Sequence, residues 1–163
     1  MPSQSAAQAG CGEYRIWQQL EQHLHQQPWQ AVIVSHTSPN RVFIRQHPVH
    51  HDDVLHGHSD AIYADIQAHV PNYPKLASLA RYFEQWFDLD HARDMHGLIC
   101  ERIDRMTQGL PTLHVTHIDW QGLYEFPHHV NCSDIFARHR GDANHYSRTG
   151  NEMVLQRILE NLE

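Results

Sequence analysis

The sequence predicts an α+β fold in which helices pack on a small antiparallel sheet built from two hairpins. Two observations lead to this prediction. Short β-branched runs occur in two pairs, each joined by a turn-forming segment, and stretches with helical apolar spacing surround those pairs. Because 163 residues is a natural length for one domain, we expect a flexible tail over residues 1–12 and a single α+β domain over residues 13–163.

The first half of the chain contains a helix, the first predicted hairpin and a shorter helix. Apolar residues recur at helical spacing over 13–27, and Pro28 ends that helix. The runs AVIVSHT and RVFIRQ, joined by Ser-Pro-Asn, predict two antiparallel strands. Strand alternation puts Ser35 and His36 on opposite faces of the first strand. Ser59 is placed to cap the shorter helix.

The second half contains two helices, the second predicted hairpin, a short helix capped by Ser133 that runs through His139, and a final helix. Pro74 opens a helix with a strong apolar stripe, and a short link at 88–90 leads to the next helix. These two helices are predicted to form an antiparallel αα-hairpin. Strands are predicted over 112–118 and 123–126, on either side of a turn. The last helix is predicted over 152–162, so the element order favours helices packed on one sheet.

The composition argues against several classes of protein. The net charge is −7 with histidines neutral, whereas a nucleic-acid-binding surface normally needs clustered basic side chains. No window approaches the ~18 continuous apolar residues of a membrane span, and the first residues lack the basic and apolar regions of a signal peptide. The three cysteines form no CxxC pair, so no disulfide framework is predicted. We therefore expect a cytoplasmic protein with no nucleic-acid or membrane partner.

The segment 47–60, HPVHHDDVLHGHSD, is the densest group of metal-ligand side chains in the sequence, with five histidines and three aspartates. Neutral imidazole is a common ligand for transition metals, and a carboxylate adds charge or orients a histidine. Residues 56–60, HGHSD, resemble the HxHxD metal-binding motif of the metallo-β-lactamase superfamily. The resemblance covers five residues and departs from the family's HxHxDH form at Ala61.

We predict that His56 and His58 are ligands of a divalent transition metal, zinc or iron, and that Asp60 is a further ligand or orients one of these histidines. His117 lies on the more apolar face of the second predicted hairpin and can complete the site if the two segments meet. The alternative is a polar loop held by Asp–His hydrogen bonds, with His117 as a core histidine.

Acidic and basic side chains elsewhere supply the remaining predicted roles. Asp53 or Asp119 is the predicted general base for such a centre. Three arginines within eleven residues are predicted to bind an anionic substrate, because a guanidinium group holds phosphate or carboxylate at two points. The alternative is an exposed loop whose positive charges offset the surrounding acidity. The three are Arg138, Arg140 and Arg148.

The sequence thus leaves two functions of different classes open. The first is a soluble divalent-metal-binding protein, acting as a metal-dependent hydrolase on a small anionic substrate. The second is a non-catalytic interaction or regulatory module that self-associates as a homo-oligomer and binds no metal. Elemental analysis of protein purified without an affinity tag separates them, because only the first predicts near-stoichiometric metal.

Overall fold

The structure is a computed structural model that describes residues 4–7, 10–45, 60–141 and 145–162. These ranges hold a three-stranded sheet and six α-helices, so the α+β class predicted from the sequence is right. One turn of 3-10 helix, Pro74–Leu76, precedes the third helix. The helices are α1 (Glu13–His23), α2 (Tyr63–His69), α3 (Ala77–Gln85), α4 (Leu89–Thr107), α5 (Ser133–Arg138) and α6 (Arg148–Leu159).

The predicted antiparallel sheet of two hairpins is wrong. The three strands, β1 (Val32–Ser35), β2 (Thr112–Thr116) and β3 (His129–Asn131), are all parallel, with β2 between the other two. A tight turn cannot join parallel neighbours. Helices α2 to α4 therefore lie in the connection from β1 to β2.

The two runs predicted as return strands form no strand in the described residues. In the first run Val42 makes only an isolated antiparallel bridge, with Ala61. The second run folds back as a loop, in which the indole N–H of Trp120 donates to the carbonyl of Tyr124 at 2.6 Å. Trp120 and Phe126 are buried beside Cys100 of α4. The apolar pattern of that run therefore reflects burial in a core cluster and not strand pairing.

The sheet lies between two groups of helices. On one face Leu113, Val115 and Val130 pack with Ile135 of α5 and Val154 of α6. The opposite face is next to α1 and α4, which pack against each other. Helix α3 packs against α2 and the 3-10 turn, so α4 finds its main helical neighbour in α1 and not in the αα-hairpin partner that the sequence predicts.

A buried ion pair ties the start of α1 to the segment that enters α2. Asp60 accepts hydrogen bonds from the Gly12 N–H at 2.6 Å, from the Ile44 N–H at 3.2 Å and from the Arg15 guanidinium at 3.1 Å. The carboxylate side chain is 0% exposed and that of Arg15 is 13% exposed. Residues 10–12 belong to the same arrangement, since the Gly10 carbonyl accepts from the Asp60 N–H at 2.9 Å.

The close approach at Gly12 gives a stability prediction with a matched control. Gly12→Ala is expected to lower the free energy of unfolding by about 1–3 kcal/mol, because the new Cβ would lie 2.9 Å from Oδ2 of Asp60. Gly97→Ala in α4 should raise it by about 0.5–1 kcal/mol, since a Cβ there meets nothing within 4 Å. Urea denaturation measures both changes. Equal stability of the Gly12→Ala variant and the native protein would contradict this geometry.

Candidate metal centre

Three buried side chains of ligand type meet between α1, the end of β1 and α4. Glu13, His36 and Cys100 are 4%, 3% and 0% exposed. One carboxylate oxygen, one imidazole nitrogen and the thiol sulfur all lie within 4.8 Å of one another. This is a mixed oxygen, nitrogen and sulfur donor set, which is the chemistry that zinc accepts. We refer to these three residues as the candidate metal centre.

Local structure explains why these side chains face one another. Glu13 is the first residue of α1, whose start is fixed by the Gly12–Asp60 hydrogen bond. His36 follows the last residue of β1, and its N–H donates to the Val115 carbonyl at 2.8 Å. Cys100 lies in α4, one turn after His96, so these two side chains share a helix face.

The Glu13 carboxylate is ionised and fully engaged. Its Oε1 lies 2.6 Å from Nδ1 of His36, and Oε2 accepts from the Thr37 N–H at 3.1 Å. Burial acts to raise the pKa of Glu13, but the charge of His36 and the hydrogen bonds from His36 and His96 outweigh it and bring the pKa to about 2. An anionic carboxylate in the core therefore depends on its histidine partners.

His96 connects Glu13 to Cys100. Its Nε2 lies 2.9 Å from the Thr37 carbonyl and 3.5 Å from Oε2 of Glu13. Both neighbours are acceptors, so Nε2 carries a proton. Nδ1 lies 3.6 Å from Sγ of Cys100 and can accept the thiol proton. Burial, followed by the charge of Glu13, raises the pKa of Cys100, so the thiol is protonated in this hydrogen-bonded state.

A second histidine extends the network away from the centre. Nε2 of His36 lies 2.8 Å from Nδ1 of His114, and Nε2 of His114 lies 4.0 Å from Oδ1 of Asp104. Burial and the charge of His36 lower the pKa of His114 to about 3. The His114 ring stacks on Phe126 with 4.0 Å between ring centroids. The pair of imidazoles thus lies between two carboxylates, and His114 is held neutral by its lowered pKa.

Metal binding would require changes in the contact between Glu13 and His36 and in the protonation of Cys100. Zinc bonds of 2.0–2.1 Å at tetrahedral angles place neighbouring oxygen and nitrogen ligands roughly 3.3 Å apart. The 2.6 Å contact between Glu13 and His36 is a hydrogen bond, so metal binding must replace its shared proton and separate the two groups by about 0.7 Å. The thiol proton of Cys100 must leave as well.

A cleft of about 240 Å³ reaches this region from the surface, and Glu13 and His96 contribute to its wall. Most of the remaining wall is aromatic or apolar, and one indole on it, that of Trp86, is 76% exposed. Small ligand sites usually have an apolar lining with a few polar groups. The wall also includes Tyr14, Phe43, Tyr82, Phe87 and Met95.

Two of the four metal ligands predicted from the sequence are among the described residues. Asp60 forms the ion pair with Arg15 described above. Both ring nitrogens of His117 have partners: Nε2 lies 2.7 Å from Oγ of Ser35, and Nδ1 lies 2.8 Å from the Tyr146 hydroxyl. Among the described residues Asp60 and His117 share no hydrogen-bond partner, so these contacts do not bring them to one centre.

The other predicted site residues fall into two groups. His56, His58 and Asp53 lie outside the described residues. Asp119 is exposed, and its Oδ1 accepts from the Gln121 N–H at 3.1 Å. Its role as a general base stays a prediction.

The three predicted anion-binding arginines are all exposed. The Arg140 guanidinium lies over the Phe136 ring at 4.9 Å, and Nε of Arg148 donates to Glu152 at 3.2 Å. No described contact joins Arg138 to either of them. Anion binding by this group stays a prediction.

Sequence reasoning missed the candidate metal centre because its members come from three separate elements. Glu13 and His36 are 23 residues apart, and Cys100 stands alone in a helical pattern. Alternation does place His36 on a strand face, and it places His114 opposite His117. Only the parallel pairing of β1 with β2, which aligns Val34 with His114, reveals that His36 and His114 share one face.

The chain matches no protein-family model, no curated protein and no solved structure. No helix in the described ranges combines the length and apolar character needed to cross a membrane. The chemistry of the Glu13, His36 and Cys100 group is therefore the basis for a proposed function.

Proposed function

We propose that this protein binds a divalent transition metal, with zinc as the preferred ion, through Glu13, His36 and Cys100. The observation that carries the proposal is that three ligand atoms of zinc-binding types lie within 4.8 Å of one another in the core. A buried ion held by one thiolate, one carboxylate and one imidazole satisfies the usual rule that buried charges are paired or coordinate a metal. His96 stands beside the set as the group that orients Glu13 and Cys100.

Hydrolysis of a small substrate is the activity that we propose for this centre. Three protein ligands leave one coordination position for substrate or water, which is the arrangement of catalytic zinc sites. The cleft beside Glu13 and His96 offers a route from solvent. A zinc ion held there would supply Lewis acidity, and His96, which is not one of the three ligands, would provide the proton-transfer group at the wall of the same cleft.

Elemental analysis with matched cysteine variants tests metal binding. Native protein purified without an affinity tag should contain about one zinc per chain. Cys100→Ser should lose at least about tenfold in bound metal, because a thiolate ligand is removed. Cys132→Ser should keep it, since Cys132 is equally buried but packs on the other sheet face with α5 and α6. Circular dichroism checks that both variants fold.

Two further measurements make the test specific. Replacing zinc with cobalt(II) should give a thiolate-to-cobalt charge-transfer band in native protein and in Cys132→Ser, but not in Cys100→Ser. The double variant His56→Ala/His58→Ala should retain its metal. Metal that follows His56 and His58 instead, or native protein without metal, would overturn the proposal. Affinity should also strengthen as pH rises, because binding must displace the Cys100 proton.

Self-association is the second candidate function, and exposed leucines at the end of the chain favour it. Leu155, Leu159 and Leu162 recur at helical spacing and are 57%, 50% and 43% exposed. A stripe of this kind is typical of a contact surface between chains. Native protein that contains no metal and elutes as a stable oligomer would favour this function over the first.

A further inference from the structure

Ser35, His117 and Tyr146 form a hydrogen-bonded row at the carboxyl edge of the parallel sheet. Ser35 is the last residue of β1, and His117 is the first residue after β2. Oγ of Ser35 lies 2.7 Å from Nε2 of His117, whose Nδ1 lies 2.8 Å from the Tyr146 hydroxyl. In sheets of parallel strands with helices on both faces, ligands bind outside the carboxyl ends of the strands. The row therefore has the position expected of a reactive site.

The hydrogen-bond partners of His117 fit the tautomer that carries its proton on Nδ1. The Tyr146 hydroxyl has the Cys132 carbonyl as an acceptor at 3.3 Å. With its proton directed there, the hydroxyl accepts from Nδ1–H of His117, and the lone pair of Nε2 faces Ser35. The Ser35 hydroxyl consequently donates to Nε2. This is the arrangement in which a serine hydroxyl is activated by a neighbouring base that a third group orients.

The burial of His117 and Tyr146 and the exposure of Ser35 fit a base, an orienting group and an accessible hydroxyl. Burial, and then the charge of His36, lower the pKa of His117, so the ring is neutral and able to accept a proton near pH 7. Burial raises the pKa of Tyr146, so its hydroxyl stays protonated. Ser35 is exposed, and reagents can therefore reach Oγ. Alternation puts this row on the sheet face opposite to His36.

We propose that Ser35 is a nucleophile, that His117 is its general base, and that Tyr146 is a positioning residue, in a site for acyl transfer from esters or thioesters. Oγ forms a bond to the acyl carbon while its proton moves to Nε2 of His117. The bond from the acyl carbon to the leaving oxygen or sulfur breaks, and the leaving group takes that proton. Water, deprotonated by His117, then releases the acid and restores the serine. The site shares no residue with the candidate metal centre.

A fluorophosphonate reagent tests the nucleophile in metal-free native protein, with a chelator present. Oγ displaces fluoride from phosphorus, and its proton passes to His117. Intact mass should show one adduct per chain, and peptide mapping should place it on Ser35. Ser35→Ala should abolish the adduct. Ser78→Ala should not change it, because Ser78 is another exposed serine, but its hydroxyl bonds the Lys75 carbonyl and not a histidine.

Variants of the other two residues test their roles. His117→Gln keeps hydrogen-bonding groups but cannot accept a proton, so labelling should slow by roughly 100-fold or more. Tyr146→Phe removes the acceptor for Nδ1–H. Nitrogen-15 NMR of the His117 ring should then show a shift of tautomer toward Nε2–H, together with slower labelling in a folded protein.

Four outcomes would overturn the proposal, the last of them equal labelling rates in folded and unfolded protein. The first is an absence of labelling of the folded native protein at Ser35. The second is equal labelling of Ser35 and Ser78, and the third is an unchanged labelling rate in His117→Gln. Protein unfolded in urea provides the rate for a serine without an organised base. If the folded and unfolded rates are equal, the row is a structural hydrogen-bond network only.

Discussion

Asp60→Ala is expected to lower the free energy of unfolding by about 3–5 kcal/mol, because it removes one partner of a buried ion pair. The carboxylate accepts from the Arg15 guanidinium and from the N–H groups of Gly12 and Ile44. Alanine would leave the two backbone N–H groups without this acceptor, and Arg15 would keep the Ile44 carbonyl but lose its charged partner. Urea denaturation followed by circular dichroism measures the loss.

Asp119→Ala is the matched control for this change, because Asp119 is the other described aspartate with a role predicted from the sequence. It is exposed and accepts only the Gln121 N–H in the described contacts, so its loss should stay within about 0.5 kcal/mol. If Glu13, His36 and Cys100 hold the metal, as we propose, the folded fraction of Asp60→Ala should still bind it. A stable Asp60→Ala variant that loses metal would show that Asp60 is a ligand, as the sequence predicts.

Glu13→Ala is expected to lower the free energy of unfolding by a similar amount, about 3–5 kcal/mol in the metal-free protein, because it removes one partner of the buried Glu13–His36 pair. It also removes the acceptor of the Thr37 N–H and the ion-pair partner of His96. Glu21→Ala is the control, since the pair of Glu21 with Arg102 is about half exposed and should contribute less than about 1 kcal/mol. Equal decreases in the free energy of unfolding of the two variants would contradict a stabilising role for the buried Glu13 hydrogen bonds.

Glu13→Gln should change the acid dependence of stability in the metal-free protein. The folded-state pKa of Glu13 is about 2, below its ordinary value of 4.5. A depressed carboxyl pKa contributes stability above pH 4.5 that is lost as pH falls through about 2. The variant has no carboxyl group to titrate, so its free energy of unfolding should vary less with pH over that interval. An unchanged slope would show that Glu13 is not ionised in the folded protein.

Protonation of His114 should lower the stability of the protein in acid separately from Glu13. The pKa of His114 falls from 6.5 to about 3 on folding, so the unfolded chain binds the proton more strongly between these values. Stability should therefore decline from pH 6.5 downward before the Glu13 interval is reached. The Glu13 and His114 intervals overlap between pH 4.5 and pH 3. The free energy of unfolding of the native protein should change most steeply with pH in that range.

Local patterns in the sequence predict elements and side-chain alternation well. The first helix, predicted over 13–27, is α1, and the strand predicted over 112–118 contains β2. The opposite orientations of Ser35 and His36, and of His114 and His117, are confirmed by their different partners. These features depend on spacing within one element, which the sequence contains directly.

Pairing between elements could not be predicted in the same way. A β-branched run after a turn has the same pattern whether it returns as a strand or packs as a loop, and Val42 and Phe126 belong to runs of the second kind. The candidate metal centre depends on the packing of three elements that are far apart in the sequence. A segment dense in histidines is visible in the sequence itself, whereas Glu13, His36 and Cys100 come together only when α1, the end of β1 and α4 pack against one another.

Because Ser35 and His36 point to opposite faces of the sheet, the register of β1 determines which proposed site each side chain joins. A shift of one residue in the register of β1 would exchange these two side chains between the faces of the sheet. Both proposed activities would then disappear in a single event, although each uses its own set of residues. β1 has four residues and β2 as its only neighbour in the described sheet. Insertions or deletions in β1 should therefore be far less tolerated than substitutions.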